Sequence, residues 1–132
     1  MKNIWGIIGL VVLITTGVYW VNYSGNSTNG NILHVVNPAE LTQMMNDQED
    51  MTIVDLREPK LFEEGRVPNA INIPFAEIKT RYMDIPRDKK VVFVCHTGRM
   101  GTESGSLLLE KGYQNVYNLN GGMANWNGQI EK

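Results

Sequence analysis

No charged side chain stands between Lys2 and Glu40, and that gap decides how the chain divides. Within it, Ile4 to Val21 is an 18-residue run broken only by glycines and by Thr15 and Thr16. As a helix rising about 1.5 Å per residue it would reach ~27 Å, close to the hydrocarbon thickness of a bilayer. Trp5 lies near one end, and Tyr19, Trp20 and Tyr23 lie at the other, where interfacial aromatic belts form. A buried core helix would carry an amphipathic period, which this run lacks. A cleaved signal peptide has a shorter apolar region and a small-residue cleavage site, and none directly follows Val21. Residues 1–21 are therefore expected to form one uncleaved transmembrane helix. Lys2 flanks it, so that end is expected to stay cytoplasmic and the remainder to face the extracytoplasmic side, periplasmic or extracellular.

Residues 22–32 are rich in Asn, Ser, Gly and Thr and read as a flexible polar linker. Residues 33–132 remain for one domain, long enough to bury an adequate core. The chain as a whole has 12 basic and 14 acidic residues, so no basic excess draws it to nucleic acid. With one cysteine, neither an intramolecular disulfide nor a multi-cysteine zinc site is possible. No metal and no cofactor are expected.

The domain alternates strand and helix signals. Leu33 to Val36 is a short apolar run, followed by Asn37 as N-cap and Pro38 at the first helical position. Leu41, Met44 and Met45 then recur at helical spacing, and Met51 to Leu56 is β-rich. Pro59 to Glu64 reads as a short helix with Leu61 and Phe62 turned inward and Gly65 closing it. A brief strand covers Ile71 to Ile73, and a helix covers Ala76 to Met83. Val91 to Val94 is continuously apolar, as suits a strand buried on both faces. A helix is expected from Arg99 to Lys111, with Met100, Ser104, Leu107, Leu108 and Lys111 on one side and Gly112 after it. Asn115 to Leu119 is the last strand, before the turn at Gly121-Gly122. Such alternation implies an α/β domain with a mostly parallel central sheet flanked by helices.

In sheets of this kind, ligands bind beyond the carboxyl ends of the strands. The most apolar strand ends at Cys95, and His96-Thr97-Gly98-Arg99-Met100-Gly101 leads from it into a helix. A thiol there faces the free N–H groups and positive end of a helix, a setting that favours thiolate and bound anions. A lone cysteine ending a central strand is more often a small buried hydrophobe. The loop argues otherwise: Gly98 permits close backbone approach, Thr97 offers a hydroxyl, and Arg99 places a cation where the helix dipole disfavours one. His96 is a poor candidate base, because adjacent residues in a tight loop rarely point at each other.

At these residues the chain resembles the rhodanese-homology domain, the sulfurtransferase family. One half of the resemblance lies in Ile53-Val54-Asp55-Leu56-Arg57-Glu58, then Phe62, Gly65, Val67-Pro68 and Ala70-Ile71-Asn72-Ile73-Pro74. The other half lies in Cys95-x-x-Gly98, Gly112-Tyr113, Asn115-Val116-Tyr117 and Gly121-Gly122 with Trp126. The resemblance implies a three-layer α/β fold and transfer of sulfane sulfur through a persulfide on Cys95. The donor would be a small molecule such as thiosulfate or a persulfide. The acceptor would be a thiol, cyanide or a protein. Loop residues His96, Thr97, Gly98, Arg99, Met100 and Gly101 would hold the anionic sulfur, with Asp55 and Arg57 supporting the loop from beside it.

Three positions depart from the family pattern. Arg commonly stands sixth counting from the cysteine, but here Met100 is sixth and Arg99 fifth, which bears on donor preference. Arg66 replaces the usual His and Asn69 the usual Gly, both as surface variation. The phosphatases of this fold need Cys-x5-Arg, whereas Gly101 stands there, so phosphatase and arsenate reductase chemistry are disfavoured. A docking module with an incidental Cys95, and a dedicated persulfide carrier, are the competing functions.

Overall fold

A computed structural model describes residues 31–132. The expected transmembrane helix and all but the end of the expected linker lie outside the described residues. Among the described residues no helix is long and apolar enough to cross a membrane.

β1 (His34–Val36) leads directly into α1 (Pro38–Asn46). Asn37 forms a complete capping box there: its side chain accepts from the Glu40 N–H at 2.9 Å, and Glu40 accepts from the Asn37 N–H at 2.7 Å. Each bond satisfies an N–H that the first turn leaves without a helical partner. β2 (Met51–Asp55), α2 (Pro59–Glu64) and β3 (Ile71–Asn72) follow. Then come α3 (Ile78–Arg81), β4 (Lys90–Val94), α4 (Arg99–Glu110), β5 (Val116–Leu119) and α5 (Gly122–Asn125).

The five strands form one sheet in the order β1-β5-β4-β2-β3, with every pairing parallel. β4 sits at its centre, and its side chains alternate between two apolar clusters. Val91, Phe93 and Cys95 enter one, with Val54, Leu108 and Val116. Val92 and Val94 enter the other, with Leu41, Ile53 and Leu119. Val91 to Val94 are each 0% exposed, which accounts for a strand with no polar alternation. Fully burying one such side chain stabilises the fold by about 1.5–3 kcal/mol.

Several local expectations are corrected. Ala76–Met83 is not one helix: α3 is a single turn between 3-10 turns at Phe75–Glu77 and Tyr82–Asp84. Both ends are held by other elements. Phe75 N–H donates to the Leu56 carbonyl at 2.9 Å, and the Tyr113 hydroxyl donates to the Tyr82 carbonyl at 2.9 Å. Leu61 is exposed rather than inward, because a six-residue helix turns only one narrow stripe to the core; Phe62 takes that place. On α4 the expected side holds for Ser104 and Leu108, which are buried, and for Met100 and Leu107, which pack against the apolar cluster; Lys111 is instead an exposed cap, and Gly101 and Gly105 join the buried face. The two glycines bring the helix close. A Cβ at Gly101 would lie 1.9 Å from Asn118 Oδ1, and one at Gly105 would lie 2.5 Å from Leu33 Cδ1.

Arg66 and Asn69 are more than surface variation. Asn69 has φ +64°, a conformation that Asn tolerates best after Gly. Its N–H donates to Glu131 Oε2 at 2.7 Å. Arg66 exchanges two backbone hydrogen bonds of 3.0 Å with Glu131, and its guanidinium lies 4.6 Å from the centre of the Phe62 ring. The two residues thus clasp the end of the chain to the loop before β3.

Candidate active site

β2, β4 and β5 run parallel and in register, so their carboxyl ends reach one edge of the sheet together. Cys95 is the first residue past β4. It is 1% exposed, and its Sγ accepts the Gly98 N–H at 2.8 Å. Gly98 has φ +104°, which costs glycine little and other residues considerably, and this conformation turns the chain from the loop into α4. Gly98 is also the N-cap of α4, so the N–H groups of Arg99, Met100 and Gly101 belong to the helical turn that lacks internal acceptors.

The loop's carbonyls are drawn away by neighbouring elements. The Met123 N–H donates to the Cys95 carbonyl at 2.7 Å, and the Ala124 N–H donates to the His96 carbonyl at 3.0 Å. The Gly98 carbonyl accepts the Thr102 N–H at 3.1 Å and Asn118 Nδ2 at 2.9 Å. One donor, the Gly98 N–H, thus faces the sulfur, while the carbonyls of Cys95, His96 and Gly98 are engaged elsewhere. Such an arrangement stabilises a negative charge formed on sulfur without a separate base. The α5 contact is close: a Cβ at Gly122, where φ is +56°, would lie 2.3 Å from the Cys95 carbonyl oxygen.

The residues singled out in the sequence fall into three places. Cys95 and Gly98 are buried together, and Gly101 packs on Asn118. His96 and Thr97 are exposed on the rim, and no hydrogen bond joins His96 to Cys95 among the described residues. Arg99 is also on the rim: its side chain is 78% exposed and reaches Glu103 at 3.3 Å, one helical turn on. A cation so placed is screened by water and shared with a carboxylate, which weakens its hold on an anion. Met100 is half-buried against the apolar cluster that contains Cys95.

Asp55 and Arg57 sit at the end of β2, where the Leu56 N–H donates to the Val94 carbonyl at 2.8 Å. Strand alternation puts the Asp55 side chain on the face of Ile53, opposite that of Val54 and Cys95. Arg57 wraps back onto Asp55 through Nε at 3.0 Å and Nη2 at 2.7 Å, and Nη2 also reaches the Gly65 carbonyl at 2.8 Å. Asn72 Nδ2 donates to the carbonyls of Asp55 and Arg57, at 3.0 and 2.9 Å. The pair is a closed clasp that shapes the backbone beside the Cys95 loop.

Two contributors escaped the reading of the sequence. Gly122 appeared there as a turn residue, although its lack of a side chain admits the Cys95 carbonyl. Asn118 belongs to no motif read above, although a buried amide in an otherwise apolar strand signals a specific hydrogen-bonding task.

A rhodanese-like domain profile matches residues 37–129. A sulfurtransferase of Allochromatium vinosum is 33% identical over 95 residues, covering 72% of this chain and 89% of its own length. The thiosulfate sulfurtransferase GlpE of Pseudoalteromonas translucida is 31% identical over 80 residues, covering 61% of this chain and 76% of its own. Among solved structures, a rhodanese-related protein from Thermoplasma volcanium aligns with a TM-score of 0.68 at 27% identity, over 74% of this chain and 97% of that one.

The Gly122 contact yields a direct test. Gly122→Ala must push the Cys95 carbonyl away, at a stability cost of about 2 kcal/mol or more, and must slow alkylation of Cys95 by iodoacetamide. Denaturant unfolding and the alkylation rate measure the two effects; wild-type values for both would mean that the contact does not shape the loop.

Proposed function

The chain belongs to the rhodanese-like domain family, and from that premise we propose that it is a sulfurtransferase working through a persulfide on Cys95. The observation that carries the reading is the hydrogen bond from the Gly98 N–H to Cys95 Sγ at 2.8 Å, made at the end of the central strand and the start of α4. In the first half-reaction the Cys95 thiolate attacks the outer sulfur of a donor such as thiosulfate. A new S–S bond forms, the bond to the sulfonate sulfur breaks, and sulfite leaves with the electron pair. In the second, a thiol or cyanide attacks the outer persulfide sulfur, and the Cys95 thiolate is released. Between the two steps, the backbone N–H groups of Gly98, Arg99, Met100 and Gly101 hold the anionic persulfide.

His96, Thr97 and Arg99 form the rim that a donor crosses. Because Arg99 shares its charge with Glu103, the rim grips a small dianion weakly. That pairing favours a thiol persulfide, or a protein-bound one, as a second donor class beside thiosulfate. The buried position of Cys95 restricts attack to a donor whose sulfur enters the loop end-on.

The test uses the full chain in mild detergent, with intact mass read after thiosulfate, after glutathione persulfide, and again after cyanide. A gain of one sulfur that cyanide removes, absent in Cys95→Ala, is expected with at least one donor. If reduced Cys95 gains no sulfur from either, the transferase reading fails and a docking module takes its place.

The proposal extends to location. Ile4 to Val21 crosses a membrane once, with Lys2 on the cytoplasmic side and the domain on the extracytoplasmic side. Protease added to cells whose outer layer is permeable is expected to digest the domain; complete protection would reverse the orientation or remove the anchor.

A further inference from the structure

Asn118 is buried at 4% exposure in the middle of β5. It is in register with Phe93 of β4, and strand alternation puts it on the face of Val116, shared with Phe93 and Cys95. Its Nδ2 donates to the Gly98 carbonyl at 2.9 Å and to Thr102 Oγ1 at 3.1 Å. Its Oδ1 is buried without a hydrogen-bond partner among the described residues.

Stability alone does not call for this residue. The Gly98 carbonyl already accepts the Thr102 N–H and the Thr102 hydroxyl, at 3.1 and 3.2 Å, so the helix start is satisfied without it. Burying an amide with an unpaired oxygen is unfavourable, and an apolar residue like its neighbours Val116 and Leu119 would avoid that cost. What the amide adds is a third hold on the Gly98 carbonyl, coming from the sheet rather than from the helix. Gly98 is the most conformationally permissive link in the loop. Its N–H lies on one side of its Cα, aimed at Cys95 Sγ, and the clamped carbonyl lies on the other.

We infer that Asn118 is a positioning residue for the sulfur chemistry: by tying the Gly98 carbonyl to β5, it keeps the Gly98 N–H aimed at Cys95 Sγ. The inference rests on the sulfurtransferase reading for its purpose, but its geometry concerns the sulfur of Cys95 in any state. Asn118 touches neither donor nor acceptor. Its loss loosens the Gly98 N–H without removing it.

The test compares Asn118→Leu with the wild type in the full chain, following the pH profile of iodoacetamide alkylation at Cys95. Leucine matches the branched shape and removes the amide. The profile is expected to move to higher pH, because the thiolate loses part of a charge-assisted hydrogen bond. Sulfur transfer, measured as kcat/KM, is expected to fall about tenfold, less than the ~100-fold that follows loss of a direct donor. Leu41→Ala, in the apolar cluster on the other face of the sheet, serves as comparator and should lower Tm without moving the profile.

If Asn118→Leu lowers Tm but leaves the pH profile at the wild-type position, Asn118 is structural only and the inference is overturned. If the leucine does not fold, Asn118→Ala, which leaves a hole rather than a changed shape, carries the same comparison. Alkylation needs no sulfur donor. A profile that moves in a chain that loads no sulfur would keep the positioning role and defeat the transferase reading; the converse result would do the reverse.

Discussion

The organisation of this domain turns on where the carbonyl groups of one short loop point. A peptide carries a donor and an acceptor on opposite edges, so a loop can collect donors around a sulfur only if its acceptors are engaged elsewhere. Here α5 engages two of them, through the Met123 and Ala124 N–H groups, and Thr102 with Asn118 engages a third. The rest of the fold serves that arrangement. The parallel sheet brings the end of β4 beside those of β2 and β5. The cluster under Phe93 and Leu108 seats α4 against the sheet, and glycines at 98 and 122 allow the close approaches.

The two faces of the sheet divide the work. Cys95 and Asn118 share one face, where the thiol meets the start of α4. Asp55 is turned to the other, locked by Arg57, while Asn72 holds the backbone carbonyls of both. Taking one member of a buried ion pair away leaves an uncompensated charge, whereas the intact pair adds little net stability. Its value here is geometric: Arg57 also fastens the Gly65 carbonyl, and the neighbouring Arg66 pairs with Glu131. A continuous set of polar contacts therefore runs from the last residues of the chain to the strand beside Cys95.

Much of this was legible wherever a local signal coincided with a local cause. Asn37-Pro38 announced a capped helix because the cap is local, its box closing on Glu40 three residues on. The uninterrupted Val91–Val94 marked the central strand because each face of it meets its own apolar cluster. Cys95 with Gly98 marked the candidate site because strand end, tight turn and helix start are contiguous in sequence. What escaped depends on partners distant along the chain. The Ala76–Met83 stretch has helical spacing, but Leu56 and Tyr113 capture its ends. Asn118 and Gly122 acquire their roles only once β5 and α5 lie against the Cys95 loop. That Gly101 and Gly105 join the buried face of α4 follows from their close approach to Asn118 and Leu33, which a pattern of apolar side chains does not register.

The central claim is that the loop's N–H groups hold sulfur in its anionic, persulfide form. The most direct measurement is a ¹H–¹⁵N NMR comparison of the reduced chain with the sulfur-loaded chain, followed by cyanide. The account predicts that the amides of Gly98, Arg99, Met100 and Gly101 shift on loading and return when cyanide removes the sulfur. A loaded chain whose loop amides stay at their reduced positions would contradict it, because the added sulfur would then be held by something else.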